Sequence, residues 1–90
     1  MSKRSGVEVA QELKILPGWE LKNEEITKLY KFKDFPEAVA FVNRILPLAE
    51  AADHHPDIDI RYNKVLLTLS THSEGGLTSK DFQLARQIDG

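Results

Sequence analysis

The chain holds three histidines, and two of them, His54 and His55, are adjacent in the run DHHP at residues 53 to 56. Imidazole is the side chain whose unperturbed pKa lies near neutral pH, so it exchanges protons under ordinary conditions. Glu50 stands four residues before His54. If one helix runs through both, the carboxylate and the ring share a face, and the carboxylate orients the ring and favours its protonated form. His55 then points elsewhere, because neighbours on a helix or an extended segment diverge. His72 ends an alternating run, and a hairpin there would return it towards His54. Two imidazoles across one pocket make an acid and a base. Each residue also has a plainer reading. Histidine suits a helix C-terminus, where the dipole favours a cation and Pro56 is a natural stop. His72 can end a strand in solvent. Asp81 falls at the third position of a capping box opened by Thr78. Capping and chemistry are compatible for Asp81, since one oxygen can cap while the other orients a histidine.

Other chemistries find less support. There is no cysteine, hence no disulfide, thiolate nucleophile or thiolate metal site. The three histidines with Asp81 or Glu50 would suit zinc in type, but neither an H-x-H nor an H-E-x-x-H spacing is present, so no metal is expected. No glycine-rich phosphate loop and no nucleophile-elbow motif occurs. Twelve Lys and Arg against fourteen Asp and Glu give a net charge of −2, which is no footprint for nucleic acid or an anionic membrane. The start, MSKR, lacks the apolar stretch of a signal peptide, and no apolar run reaches membrane-spanning length. A single cytoplasmic domain over residues 1–90 is expected.

The elements that must position these residues follow from periodicity. Residues 5–16 predict an amphipathic helix with Val9, Leu13 and Leu16 on one stripe, stopped by Pro17-Gly18. Trp19 to Leu21 predicts a short strand, KNEE a turn, and Ile26 to Lys33 a strand whose lysines suit an edge or a solvent face. Asp34 and Pro36 mark the start of a helix reaching Asp53, with Val42, Ile45, Ala49 and Ala52 as its stripe. Pro47 lies on its polar side, which predicts one kinked helix and not two. After Pro56 the period becomes two, then changes phase. A strand cannot switch faces in mid-course, so 57–62 and 65–71 predict a hairpin turning at Asn63-Lys64. Residues 73–77 predict a loop, and Thr78 a final helix with Leu77 and Phe82 as a hydrophobic staple. Two or three helices against a small antiparallel sheet make an α+β domain.

Taken together, the spacings E-x3-H-H-P-x5-Y-x9-H-x8-D, at Glu50, His54, His55, Pro56, Tyr62, His72 and Asp81, resemble the signature of the pterin-4a-carbinolamine dehydratase family. So do PGW at 17–19, Phe32 and Phe35, YNKV at 62–65, LSTH at 69–72 and GLTSKD at 76–81. The resemblance spans nearly the whole chain. It implies a four-stranded antiparallel sheet with helices packed on one face. It also implies dehydration of 4a-hydroxytetrahydropterin, the product left when an aromatic amino acid hydroxylase uses a tetrahydropterin. Water leaves from C4a, the N5 proton leaves to a base, and the quinonoid dihydropterin forms. No cofactor is implied. By the same resemblance His54 and His72 are the acid/base pair, His55 contacts the pterin, and Asp81 lies near the later histidine. Glu50 orients the pair, while Pro56 and Tyr62 shape the site. Family members form dimers through sheet edges, and some form tetramers through helices. Animal members also serve as dimerisation cofactors for a transcription factor, and some bacterial relatives with degraded motifs assist Rubisco assembly.

Overall fold

The computed structural model describes residues 3–90. Helix α1 covers Gly6–Leu13 and is opened by a reciprocal capping box: Glu8 N donates to Ser5 Oγ at 3.2 Å, and Ser5 N donates to Glu8 Oε1 at 2.9 Å. It ends three residues earlier than its apolar stripe predicts. Tightened i→i−3 bonds from Lys14, Ile15 and Leu16 take over there. That turn swings Leu16 into the core beside Val9, with Leu13 partly buried against them. Gly18 follows at φ +86°, and a Cβ there would meet Lys28 Cε at 2.9 Å. A residue with a side chain would need both a strained backbone and a displaced lysine.

Strands β1 (Glu20–Lys22) and β2 (Glu25–Lys31) form a hairpin. Helix α2 (Phe35–Ala52) is capped by Asp34, which accepts from Glu37 N, with Pro36 in the first turn. Strands β3 (Asp57–Arg61) and β4 (Lys64–Leu69) form a second hairpin, and α3 spans Ser79–Asp89. The four strands are antiparallel in the order β1-β2-β4-β3. This is the α+β fold that the periodicity predicts. The lysines of β2 do not place it at an edge: it is an inner strand between β1 and β4.

The register explains the two sides of the sheet. Ile26 pairs with Leu69 and Tyr30 with Val65, so these side chains share one face with Leu67. Ile26, Val65, Leu67 and Leu69 are fully buried there against α2 and α3. Burying each such side chain stabilises the fold by about 1.5–3 kcal/mol. The other face carries Leu29 opposite Leu66 and is open to solvent. All of β3 is exposed, and it is one of the two edge strands of the sheet.

Helix α2 buries Ala38, Phe41, Ile45 and Ala49. The stripe is rotated from the predicted one: Phe41 is central, and Val42 only partly buried. Pro47 stands inside a single continuous helix on its exposed side, where the backbone group it leaves unpaired meets water. In α3, Phe82, Leu84, Ala85 and Ile88 are buried, together with Leu77 before it.

The far end of α3 is locked by its last residue. Asp89 Oδ2 accepts from Trp19 Nε1 at 2.9 Å and from Lys28 Nζ at 3.0 Å, and Oδ1 accepts from the Tyr30 hydroxyl at 2.5 Å. Burial pushes the Tyr30 phenol well above its ordinary value, and the bond to Asp89 and its charge add to this. Burial works to raise the Asp89 carboxyl as well, but the donors from Tyr30, Lys28 and Trp19 outweigh it and hold the group below the usual carboxylate range.

Candidate active site

The adjacent histidines are separated by the way α2 ends. The helix stops at Ala52, and Asp53 takes the left-handed conformation at φ 49°, ψ 44°. Asp53 N donates to Glu50 O at 3.2 Å and His54 N to Ala49 O at 3.1 Å. This is the Schellman pattern, with an aspartate where glycine is usual. The left-handed residue turns the chain back across the helix end. Consequently the face shared by residues four apart in a helix does not extend to His54.

The expected partners are therefore exchanged. Glu50 Oε2 lies 2.5 Å from His55 Nε2, not against His54, and this pair is largely exposed. His54 turns inward and sets Nε2 2.5 Å from Asp81 Oδ1. The His54 side chain is 10% exposed and Asp81 is 0%. Asp81 thus sits against the earlier histidine, whereas the resemblance assigns it to the later one. The physical cause is local on both sides: the reversal at Asp53 aims His54 at the start of α3, and Asp81 is fixed there by the cap.

That cap is a capping box. Thr78 N donates to Asp81 Oδ2 at 2.9 Å, and the Thr78 hydroxyl accepts from Lys80 N at 3.3 Å. One oxygen caps the helix and the other meets a histidine, as the two-role reading of Asp81 requires. Sequence reasoning missed Thr71. It is buried, and its Oγ1 lies 2.8 Å from Asp81 Oδ2 and 2.9 Å from Thr78 Oγ1. Its place in LSTH, one residue before His72, is the only signal the sequence carries.

His72 does not end a strand. β4 stops at Leu69, and His72 opens a short 3₁₀ turn, His72–Glu74, closed by Gly75 at φ 72°. The cause is a tight loop in which Thr71 N donates to Gly76 O at 2.9 Å, which removes the chain from the ladder. His72 is exposed. The register nonetheless sets it at the same end of the molecule as the pair. Asp57 is opposite Thr68, so the residues just before Asp57 run beside those just after Thr68. Pro56, half-buried, makes the join from the helix end to β3. Tyr62 lies elsewhere. It sits at the tip of the β3–β4 hairpin with φ 54° and is 66% exposed. The length of β3 separates it from the histidines by about 17 Å. The turn is Tyr62-Asn63, one residue earlier than predicted, because Lys64 already pairs with Arg61 and Asn63 Nδ2 donates to Phe32 O at 2.9 Å.

The geometry supplies a ring held by a buried carboxylate, a second ring on an exposed carboxylate, and a third ring in the adjoining loop. Among the described residues no group of three or more His, Asp or Glu side chains converges to hold a metal ion. No described helix is long and apolar enough to cross a membrane.

Comparison with known proteins gives a consistent result. The family model for pterin 4 alpha carbinolamine dehydratase matches residues 2–90. A protein of Chloroflexus aurantiacus named "Putative pterin-4-alpha-carbinolamine dehydratase" is 54% identical over 89 residues, covering 99% of this chain and 96% of its own length. A protein of the same name from Sulfolobus acidocaldarius is 50% identical over 82 residues, covering 91% of this chain and 90% of its own. Among solved structures, a transcriptional coactivator/pterin dehydratase from Brucella melitensis superposes with a TM-score of 0.94 at 39% identity, over 98% of this chain and 96% of that one. A pterin dehydratase-like protein described as a RuBisCO assembly factor of the alpha-carboxysome superposes with a TM-score of 0.64 at 22% identity, over 79% of this chain and 82% of that one, and so shares the fold.

Proposed function

The chain belongs to the pterin 4 alpha carbinolamine dehydratase family, and on that premise we propose that it dehydrates a 4a-hydroxytetrahydropterin to the quinonoid dihydropterin and water. Hydroxide is a poor leaving group, so the C4a oxygen must be protonated as its bond to carbon breaks. The electron pair that expels it comes from N5, which gives its proton to a base. Imidazoles move protons in both directions near neutral pH. In this reading His54 and His72 are the acid and base, and His55, backed by Glu50, contacts the pterin. Asp81 positions His54, and Pro56 shapes the wall. Tyr62 has a structural role at the hairpin tip. The observation that carries the reading is the His54–Asp81 contact: a nearly buried ring against a fully buried carboxylate, at the end of the molecule where His55 and His72 also lie.

The substrate arises from an aromatic amino acid hydroxylase, and the reaction is placed in the cytoplasm. Homodimers or homotetramers are favoured by the outer edge of β3, whose five residues are all exposed. A second role, binding a protein partner beside catalysis, is supported by the coactivator description of the Brucella relative and by Phe35 and Leu46, which α2 leaves 49% and 57% exposed. The test of the main reading is the loss of freshly generated 4a-hydroxytetrahydropterin with and without the protein. A saturable acceleration over the spontaneous reaction is expected. A well-folded protein that gives none contradicts the reading.

A further inference from the structure

We infer that Thr71 and Thr78 are positioning residues that act through Asp81 to hold the His54 proton on Nε2, leaving Nδ1 as the nitrogen that exchanges protons with substrate. The inference rests on the proposed dehydration, and it follows from counting protons along one buried chain of contacts. Asp81 Oδ2 takes the Thr78 backbone N–H and lies 2.8 Å from Thr71 Oγ1. A carboxylate oxygen so occupied accepts, so the single Thr71 hydroxyl proton is spent on Asp81. Thr71 Oγ1 is also 2.9 Å from Thr78 Oγ1. With its own proton committed, Thr71 must accept there, and Thr78 must donate. The polarity of the chain is therefore fixed: Thr78 to Thr71, Thr71 to Asp81 Oδ2. Asp81 Oδ1 is left to accept from His54 Nε2, 2.5 Å away.

Burial makes this arrangement stiff. Thr78 and Asp81 are 0% exposed and Thr71 is 7%. None of the three can exchange its partner for water, and reversing one bond leaves a buried polar atom unpaired. The other ring nitrogen is open. His54 Nδ1 has no hydrogen-bond partner among the described residues, and the only buried side-chain nitrogen or oxygen without a partner there is Arg4 Nε. Nδ1 therefore accounts for part of the small exposure that His54 retains. Thr71 has a second effect through its main chain. Its N–H and C=O hold the loop that carries His72, so one residue supports both the carboxylate behind His54 and the loop of the later histidine.

The test uses ¹⁵N-labelled protein without ligand, and then the dehydration assay, on wild type, Thr71→Val and Thr71→Ser. Wild type is expected to show a downfield, slowly exchanging ring proton on Nε2 of His54 and a bare Nδ1, while the exposed His72 averages its tautomers. Thr71→Ser keeps the hydroxyl and is expected to keep this signal, the kcat and its pH profile. Thr71→Val is expected to move the ring proton upfield, speed its exchange and lower kcat about 10–100-fold with little change in KM, the scale found for outer partners that fix an imidazole. A wild-type ring proton on Nδ1 overturns the inference even if Thr71→Val does not fold. So does a folded Thr71→Val with the wild-type ring signal and kcat. The spectra need no substrate, so an unaltered ring signature in a protein that does not dehydrate pterin refutes the function and leaves the tautomer assignment standing.

Discussion

Asp81→Asn should separate folding from chemistry, and the structure gives the size of each effect. Asp81 receives three donors: the Thr71 hydroxyl, the Thr78 N–H and the His54 ring. Truncation to alanine leaves all three buried and unpaired, at about 1–3 kcal/mol each. The sum, about 3–9 kcal/mol, is a large share of the total stability of a domain this size, about 5–13 kcal/mol. Asparagine has the same shape. Its carbonyl can take the place of Oδ2 and keep both the cap and the Thr71 bond. The two retained bonds change from charge-assisted to neutral, a loss of about 2 kcal/mol in all. The amide then faces His54, and an NH2 group cannot accept a proton from Nε2. The ring must carry its proton on Nδ1, the wrong nitrogen for the proposed reaction. A ring held in the wrong tautomer lowers kcat by up to about 10⁴-fold, and a loss of 10²–10⁴ is expected here. Urea unfolding followed by circular dichroism should place the asparagine variant about 1–2 M below wild type and the alanine variant far lower. An asparagine variant that is folded and keeps more than about a third of wild-type kcat refutes the tautomer reasoning.

Two further predictions concern stability. Tyr30 keeps its proton in the fold well above its ordinary value. Its contribution is whole below pH 10 and falls above it, where the unfolded phenol ionises and the folded one still holds its proton. Urea midpoints measured between pH 8 and about 11.5 should show this slope in wild type and its absence in Tyr30→Phe, and equal slopes would contradict the assignment. Asp53→Gly removes a left-handed side chain and a negative charge from the C-terminus of α2, which has no basic residue in its last turn. After the entropy glycine loses on folding, a net gain of about 0.5–1 kcal/mol remains, read as a rise in Tm of about 4 °C, and a fall in Tm would contradict it.

What could be read from the sequence was what local chemistry decides. Asp34 with Pro36 marked the start of α2, and Thr78 with Asp81 marked the start of α3, because caps depend on residues three or four apart. The change of phase between Ile60 and Val65 marked the second hairpin, because a strand cannot exchange its faces. The partners of the histidines were not legible. They depend on a left-handed residue at Asp53, and aspartate signals such a turn far more weakly than glycine does. Without that reversal Glu50 is the natural partner of His54; with it, Asp81 is. The turn at His72 is hidden for a similar reason, since alternation through Ser70 continues the strand pattern while the Thr71–Gly76 bonds end it. The Asp89 cluster joins residues 59 to 70 positions apart, which no periodicity connects.

The most direct test of the account is the dehydration rate of 4a-hydroxytetrahydropterin with wild type, His54→Ala and His72→Ala, each shown to be folded by circular dichroism. The account predicts a clear acceleration by wild type and a large loss of kcat in both variants, since each ring moves a proton in the same elimination. A wild type that accelerates the reaction while His54→Ala remains as fast would contradict it, and would place the chemistry away from the carboxylate-held ring.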